Sequence, residues 1–113
     1  MTEPHDVPDA AGLVQAVREF LEADVVGATG GRVRFHARVA VNVLAMVERE
    51  LAMGADQAAR HATGLAALGV GSEAELAAAI RTGALDERMD EVVAFVRATV
   101  RDKLDVTNPG YAD

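Results

Sequence analysis

Hydrophobic residues recur at helical intervals along five segments of the chain, and no segment alternates hydrophobic and polar residues as a strand does. The first segment carries Leu13, Val14, Val17, Phe20, Leu21 and Val25. The last carries Met89, Val92, Val93, Val96, Val100 and Leu104 on one stripe. We therefore predict an all-α fold, a compact bundle of three long and two short helices.

Local signals place the ends of these helices. Asp9 and Asp86 stand where a short acidic side chain caps a helix, and Ser72 with Glu75 forms a capping box. Glycines suited to ending helices follow the hydrophobic segments: Gly27, Gly54, Gly69 and Gly83. The second helix is thus expected over 32–53 and a weaker third helix over 57–68. We expect residues 1–8 to form a flexible leader, 9–107 a single helical-bundle domain and 108–113 a tail.

The second predicted helix is hydrophobic on most sides, which is typical of a central, buried helix. It nevertheless carries five polar or charged residues: His36, Arg38, Asn42, Arg49 and Glu50. Polar groups buried there need partners, because an unpaired one costs about 1–3 kcal/mol. The segment therefore either holds an internal polar network or lines a site.

Arg38, Asn42 and Arg49 share one face of this helix because four and then seven residues separate them. Together with Arg97 they are the candidate residues for binding an anionic ligand. The alternative is internal pairing with acids of the first or last helix. Those acids are Glu19, Glu22, Asp24, Asp90 and Asp102.

His36, Glu50 and Arg101 are instead assigned to a structural polar network. Arg97 or Arg101 would meet Glu48 or Glu50 if the last helix packs antiparallel to the second. An enzyme using His36 and Glu50 as acid and base is a further alternative, although no local spacing supplies a positioned partner for His36.

Composition narrows the classes of function. The 113 residues have a net charge of −7, which argues against duplex nucleic acid and anionic membranes as partners. No cysteine is present, and no metal-binding or phosphate-loop motif occurs, so no metal or cofactor is expected. No signal peptide or membrane-spanning run is visible, and we expect a cytoplasmic protein.

Three motifs resemble a small, functionally uncharacterised bacterial family. The first runs from His5-Asp6-x-Pro8 to the segment around Phe20, the second from Phe35 to Leu44 with Arg49-Glu50, and the third from Lys103 to Pro109. The resemblance implies a stand-alone all-helical protein. Members of that family are typically encoded beside an aminoglycoside-phosphotransferase-like kinase and an acyl-CoA dehydrogenase.

The resemblance thus implies an accessory role in acyl-CoA metabolism without assigning a reaction. The leading hypothesis is a non-catalytic accessory or interaction protein whose partner is a second copy or the kinase-like enzyme. The alternative is a binding module for an anionic acyl or phosphate ligand.

Overall fold

A computed structural model describes residues 7–111, and within that range every regular element is helical. Helix α1 comprises Ala10–Phe20, and the chain continues through a π-helical turn, Leu21–Val25, into a last α-helical turn, Val26–Ala28. Helix α2 comprises Gly31–Ala67 and α3 comprises Glu73–Arg81. A 3₁₀ turn, Asp86–Arg88, leads into α4, Met89–Thr107. The all-α prediction is confirmed.

The predicted count of five helices is wrong, because the second and third predicted helices are one helix. Gly54 lies inside α2 and does not end it. A glycine in a helix interior costs only about 1 kcal/mol relative to alanine, and the good helix formers Met53 and Ala55 flank it. Just beyond Gly54, the Gln57 side chain donates a hydrogen bond to the Asp102 carbonyl of α4, at 2.9 Å. Contacts distant in sequence thus support this part of α2.

Most of the predicted helix ends are confirmed. Asp9 caps α1 through a 3.0 Å hydrogen bond from the Gly12 amide, and Ser72 Oγ caps α3 by accepting from the Glu75 amide at 3.1 Å. Gly69, with φ +79°, follows the end of α2, where the Val70 amide donates back to the Leu65 carbonyl at 3.1 Å. This left-handed conformation is one that glycine adopts without strain.

Two capping details differ from the prediction. The Glu75 carboxylate accepts from the Gly71 amide, one residue before the cap, rather than from the amide of Ser72. Asp86 begins the 3₁₀ turn and its side chain caps neither that turn nor α4. The position of Asp86 thus predicted where the last helical segment begins, but the predicted capping hydrogen bond does not form.

Contacts divide the chain at Met53 and Gly54 into two compact units. The predicted leader, 1–8, falls almost wholly outside the described residues, as do the last two residues of the tail. A single domain over 9–107 stays a prediction. No helix in the described part of the chain has the combination of length and hydrophobicity that crossing a bilayer requires.

The second unit has a hydrophobic core built from the C-terminal part of α2, from α3, and from α4. Its buried members are Leu65, Leu68, Leu76, Leu85 and Val92. Phe95 packs against this cluster from α4, and its ring lies against Gly64 of α2. His61 adds polar links, because Nε2 lies 3.0 Å from Glu73 Oε1 and Nδ1 lies 3.4 Å from Thr99 Oγ1.

The close approach of α2 and α4 depends on the missing side chain of Gly64. A Cβ atom there would lie 2.6 Å from Phe95 Cδ1, closer than van der Waals contact allows. We expect Gly64→Ala to lower the free energy of unfolding by about 1–2 kcal/mol, because the cost of overpacking exceeds the gain in helix propensity.

Urea unfolding followed by circular dichroism measures this change. Gly27→Ala is the matched control, since a Cβ at Gly27 would meet nothing within 4 Å. That variant should leave stability unchanged or raise it by up to about 1 kcal/mol. Equal effects at the two glycines would contradict the packing assigned to Gly64.

Candidate functional site

In the first unit, α1 and the N-terminal part of α2 form an antiparallel helical hairpin. Near its turn, Arg34 Nε donates to the Val26 carbonyl at 3.0 Å. Farther along, the Arg18 guanidinium pairs with the Glu48 carboxylate and, at 3.2 Å, with Glu22. The hydrogen bond to Glu48, with the charges of Glu48 and Glu22, raises the pKa of Arg18 against a smaller opposing effect of desolvation.

The contact between the two helices of the hairpin is narrow. Its half-buried side chains include Val14 of α1, Leu21 and Val25 of the π-helical turn, and Val41 and Leu44 of α2. Ala37, 7% exposed, is the only buried residue among those described in this unit. The expectation that this part of α2 is buried on nearly all sides is therefore wrong.

A cleft of about 300 Å³ opens on one side of the hairpin, and we call it the polar cleft because three of its five lining residues are polar or charged. It is lined by Glu22, Val26, Arg38, Val41 and Asn42. Arg38 and Asn42, predicted to share a face, are thus brought together, and one of the acids named as a possible partner lies beside them. Glu22 nevertheless pairs with Arg18, and Arg38 forms no ion pair within residues 7–111.

The other candidate ligand-binding residues lie outside the lining of this cleft. Arg49 is half-buried on the same face of α2, seven residues beyond Asn42. Arg97 is exposed on α4, in the second unit. The structure therefore brings two of the four predicted residues together.

The residues assigned to a structural network are spread along the chain. His36 is exposed, with its ring edge against Phe35 at 5.4 Å between centroids. Glu50 is also exposed, and the helical rise places it about 21 Å from His36. That separation argues against His36 and Glu50 of one chain acting together on one bond.

Arg101 lies in the second unit, where its Nε is 3.1 Å from Asp105 Oδ1 within α4. Two of the acids proposed as partners of the predicted cations pair with other arginines. Glu48 pairs with Arg18, and Asp102 pairs with Arg60 at 3.2 Å. Neither pairing has a local signal in the sequence, because the residues are far apart along the chain.

Exposed hydrophobic rows are the second notable feature of the hairpin. We call Leu13, Val17 and Phe20 the α1 row, and Phe35, Val39, Val43 and Val47 the α2 row. All seven side chains are exposed, Phe35 to 64% and Val43 to 50%. The prediction placed the α1 row in the core together with Val14, Leu21 and Val25, whereas only the latter three are half-buried.

The exposed hydrophobic surface of the hairpin continues from the α1 row onto the outer side of α2. At 100° per residue, the α1 row is rotated about 100° from Val14, and the centre of the α2 row is rotated about 150° from Val41 and Leu44. In an antiparallel pair these rotations bring Val43 and Val47 to the side of the α1 row, whereas Val39 points away from α1 and Phe35 lies about 20° around the helix from Asn42. Glu22, Arg38 and Asn42 are rotated the opposite way from the α1 row, toward the cleft.

Helix α4 carries a further exposed row, the α4 row of Met89, Val93, Val96 and Val100. These residues were predicted to face the core together with Val92. In the structure Val92 is buried, 3% exposed, and Phe95 and Thr99 share its face. The core-facing side of α4 is therefore rotated by about 100° from the predicted stripe.

A model of the domain of unknown function DUF6285 matches residues 27–111, about three quarters of the chain. The chain belongs to the DUF6285 family. The DUF6285 match spans the second and third motifs of the predicted resemblance and begins after the first. No curated protein and no solved structure shows a significant match to the chain.

The stability of an Arg38 variant can distinguish a structural role from a binding role for this residue of the polar cleft in the DUF6285 protein. Because Arg38 is exposed and forms no ion pair in the described range, we expect Arg38→Ala to change the free energy of unfolding by less than about 0.5 kcal/mol. Thermal unfolding in low salt measures the change.

Glu48→Gln is the matched comparison, because it removes the charge that pairs with Arg18 across the hairpin. That variant should unfold at a lower temperature, and the difference should shrink in 1 M NaCl as salt screens the lost attraction. A large loss of stability in Arg38→Ala would show that Arg38 belongs to a structural network.

Proposed function

We propose that this protein is a non-catalytic accessory protein that acts by binding other protein surfaces through its exposed hydrophobic rows. The observation that carries the proposal is the exposed hydrophobic surface of the hairpin, formed by the α1 and α2 rows. Contiguous exposed hydrophobic surface of this kind is typical of interaction sites, because water contact with it is unfavourable.

The poor burial of the hairpin supports the same conclusion. Two helices that bury a single alanine gain little stability from their own contact. Covering the α1 and α2 rows would remove seven hydrophobic side chains from water. Because each is about half exposed, its burial would contribute about 1–2 kcal/mol to the binding free energy. A bound partner would therefore stabilise the hairpin as well as recognise it.

The α4 row offers a surface of different character. Arg97 and Arg101 follow one edge of the row, and both are exposed. A protein surface with acidic groups beside a hydrophobic strip fits this arrangement. The resemblance to proteins encoded beside an aminoglycoside-phosphotransferase-like kinase makes that kinase the first partner to test, in acyl-CoA metabolism.

We expect Val43→Ser or Val96→Ser to weaken binding to a partner about tenfold, because each removes a valine from a hydrophobic contact. Light scattering coupled to gel filtration gives the mass of the chain alone and with the purified kinase-like protein. Val7→Ser is the matched control, since Val7 is exposed but lies outside all three rows. A chain that stays monomeric and binds no kinase-like protein would contradict the proposal.

A ligand-binding module is the alternative that the polar cleft favours. Arg38 and Asn42 lie beside the hydrophobic side chains of Val26 and Val41, a combination suited to an anionic group with a short hydrophobic portion. Glu22 in the same lining would repel an anion, which makes this the second candidate.

If the alternative holds, CoA esters or inorganic phosphate at millimolar concentration should raise the melting temperature by several degrees, since a ligand stabilises the state it binds. Arg38→Ala should abolish the shift, while Arg81→Ala, an exposed arginine on α3, should preserve it. No shift with either probe, or one that survives Arg38→Ala, would exclude this cleft as the site.

A further inference from the structure

The α2 row is bounded at its two ends by opposite charges. Arg32 precedes Phe35 at the start of α2, and Glu50 follows Val47. Both charged residues are exposed, and neither forms an ion pair with any residue of 7–111. The hydrophobic row therefore has a cation at one end and an anion at the other, and neither has an ion-pair partner in the part of the chain that the structure describes.

The spacing makes this arrangement symmetric about its middle. Arg32 and Glu50 are eighteen residues apart, which is five whole helical turns, so they lie on one line along α2. The midpoint of that pair is position 41, and position 41 is also the midpoint of Phe35 and Val47 and of Val39 and Val43. Reversing the direction of the helix thus exchanges hydrophobic positions with one another and the cation with the anion.

We propose that a second copy of this chain binds along the α2 row, with the two α2 helices antiparallel and related by a twofold axis near position 41. Phe35 then lies opposite Val47 of the second copy, and Val39 lies opposite Val43 of the second copy. Arg32 of each copy faces Glu50 of the other. This contact deepens the proposed interaction function and rests on it, because it names the partner of one hydrophobic row.

Self-complementarity selects a second copy over an unrelated partner. A twofold interface must present the same patch from both molecules, so each cation must meet an anion when the patch is reversed. The α2 row satisfies this condition with both hydrophobic pairs and both charges. A parallel arrangement would instead place Arg32 against Arg32 and Glu50 against Glu50, which is repulsive.

Charge reversal tests this pairing on the full chain. Arg32→Glu and Glu50→Arg should each raise the dimer dissociation constant about tenfold, because each variant replaces two attractions by two repulsions. The double variant Arg32→Glu/Glu50→Arg should recover wild-type dimerisation. An equimolar mixture of the two single variants should form mostly heterodimers, which native mass spectrometry resolves.

Engineered cysteines test the register independently, because the chain contains no cysteine of its own. Val39→Cys and Val43→Cys chains, mixed and oxidised, should form the mixed disulfide in preference to either symmetric one. Val39→Cys mixed with Val93→Cys, which places the second thiol on the α4 row, is the matched control and should give no such preference.

The outcomes separate this inference from the function on which it rests. A wild-type chain that is monomeric at about 100 μM overturns the pairing, and the proposed function then survives only if the kinase-like protein binds. A dimer whose dissociation constant is unmoved by charge reversal, or that forms no mixed disulfide, overturns the antiparallel register while leaving self-association intact. Heterodimers from the charge variants together with the mixed disulfide support it.

Discussion

The structure depends on one imbalance: its helices carry more hydrophobic surface than neighbouring helices of the same chain cover. A helix in a two-helix contact buries one stripe, whereas α2 carries a contact stripe and, separately, the exposed α2 row. Hydrophobic residues dominate these two sides, and Arg38, Asn42 and Arg49 share the third. The cleft beside Glu22 opens at that third side.

The same imbalance explains why packing differs between the two units. In the second unit α3 and α4 supply leucines and a phenylalanine around the C-terminal part of α2, and a buried core forms. In the first unit α1 alone faces α2, and the hairpin gains an ion pair between Arg18 and Glu48 but almost no buried hydrophobic surface. The unit with less internal burial is the one with more hydrophobic surface to offer a partner.

Features that depend on a few neighbouring residues were predictable from the sequence. Asp9 and Ser72 accept hydrogen bonds from amides three residues away, and Gly69 adopts a conformation that few other residues allow. Because these requirements involve residues close in sequence, the residue types alone indicate them. Gly54 shows the limit, since a glycine favours a helix end only weakly and the contact of Gln57 with α4 supports the helix instead.

Which hydrophobic stripe of a helix faces its neighbour was not predictable in the same way. Along α1 and the turn that follows it, the sequence offers two adjacent stripes, one with Val14 and Leu21 and one with Val17 and Phe20, and hydrophobicity does not distinguish them. The choice depends on residues distant in sequence, such as Glu48, which pairs with Arg18 on the first stripe. The links of His61 to Glu73 and Thr99 are equally non-local and carry no spacing signal.

The conflict between a catalytic and a structural interpretation of α2 turns on distance. His36 and Glu50 are the residues that general acid–base chemistry would select, yet the helical rise holds them about 21 Å apart. Glu50 is instead in helical phase with Arg32, which places a charge at each end of a hydrophobic row. A charged residue that has no ion-pair partner within residues 7–111, and a matching opposite charge in symmetric position, fits the proposed interface better than a reaction. The same reasoning leaves Arg38 as the residue of α2 proposed for ligand binding, because it lies in the cleft and away from the row.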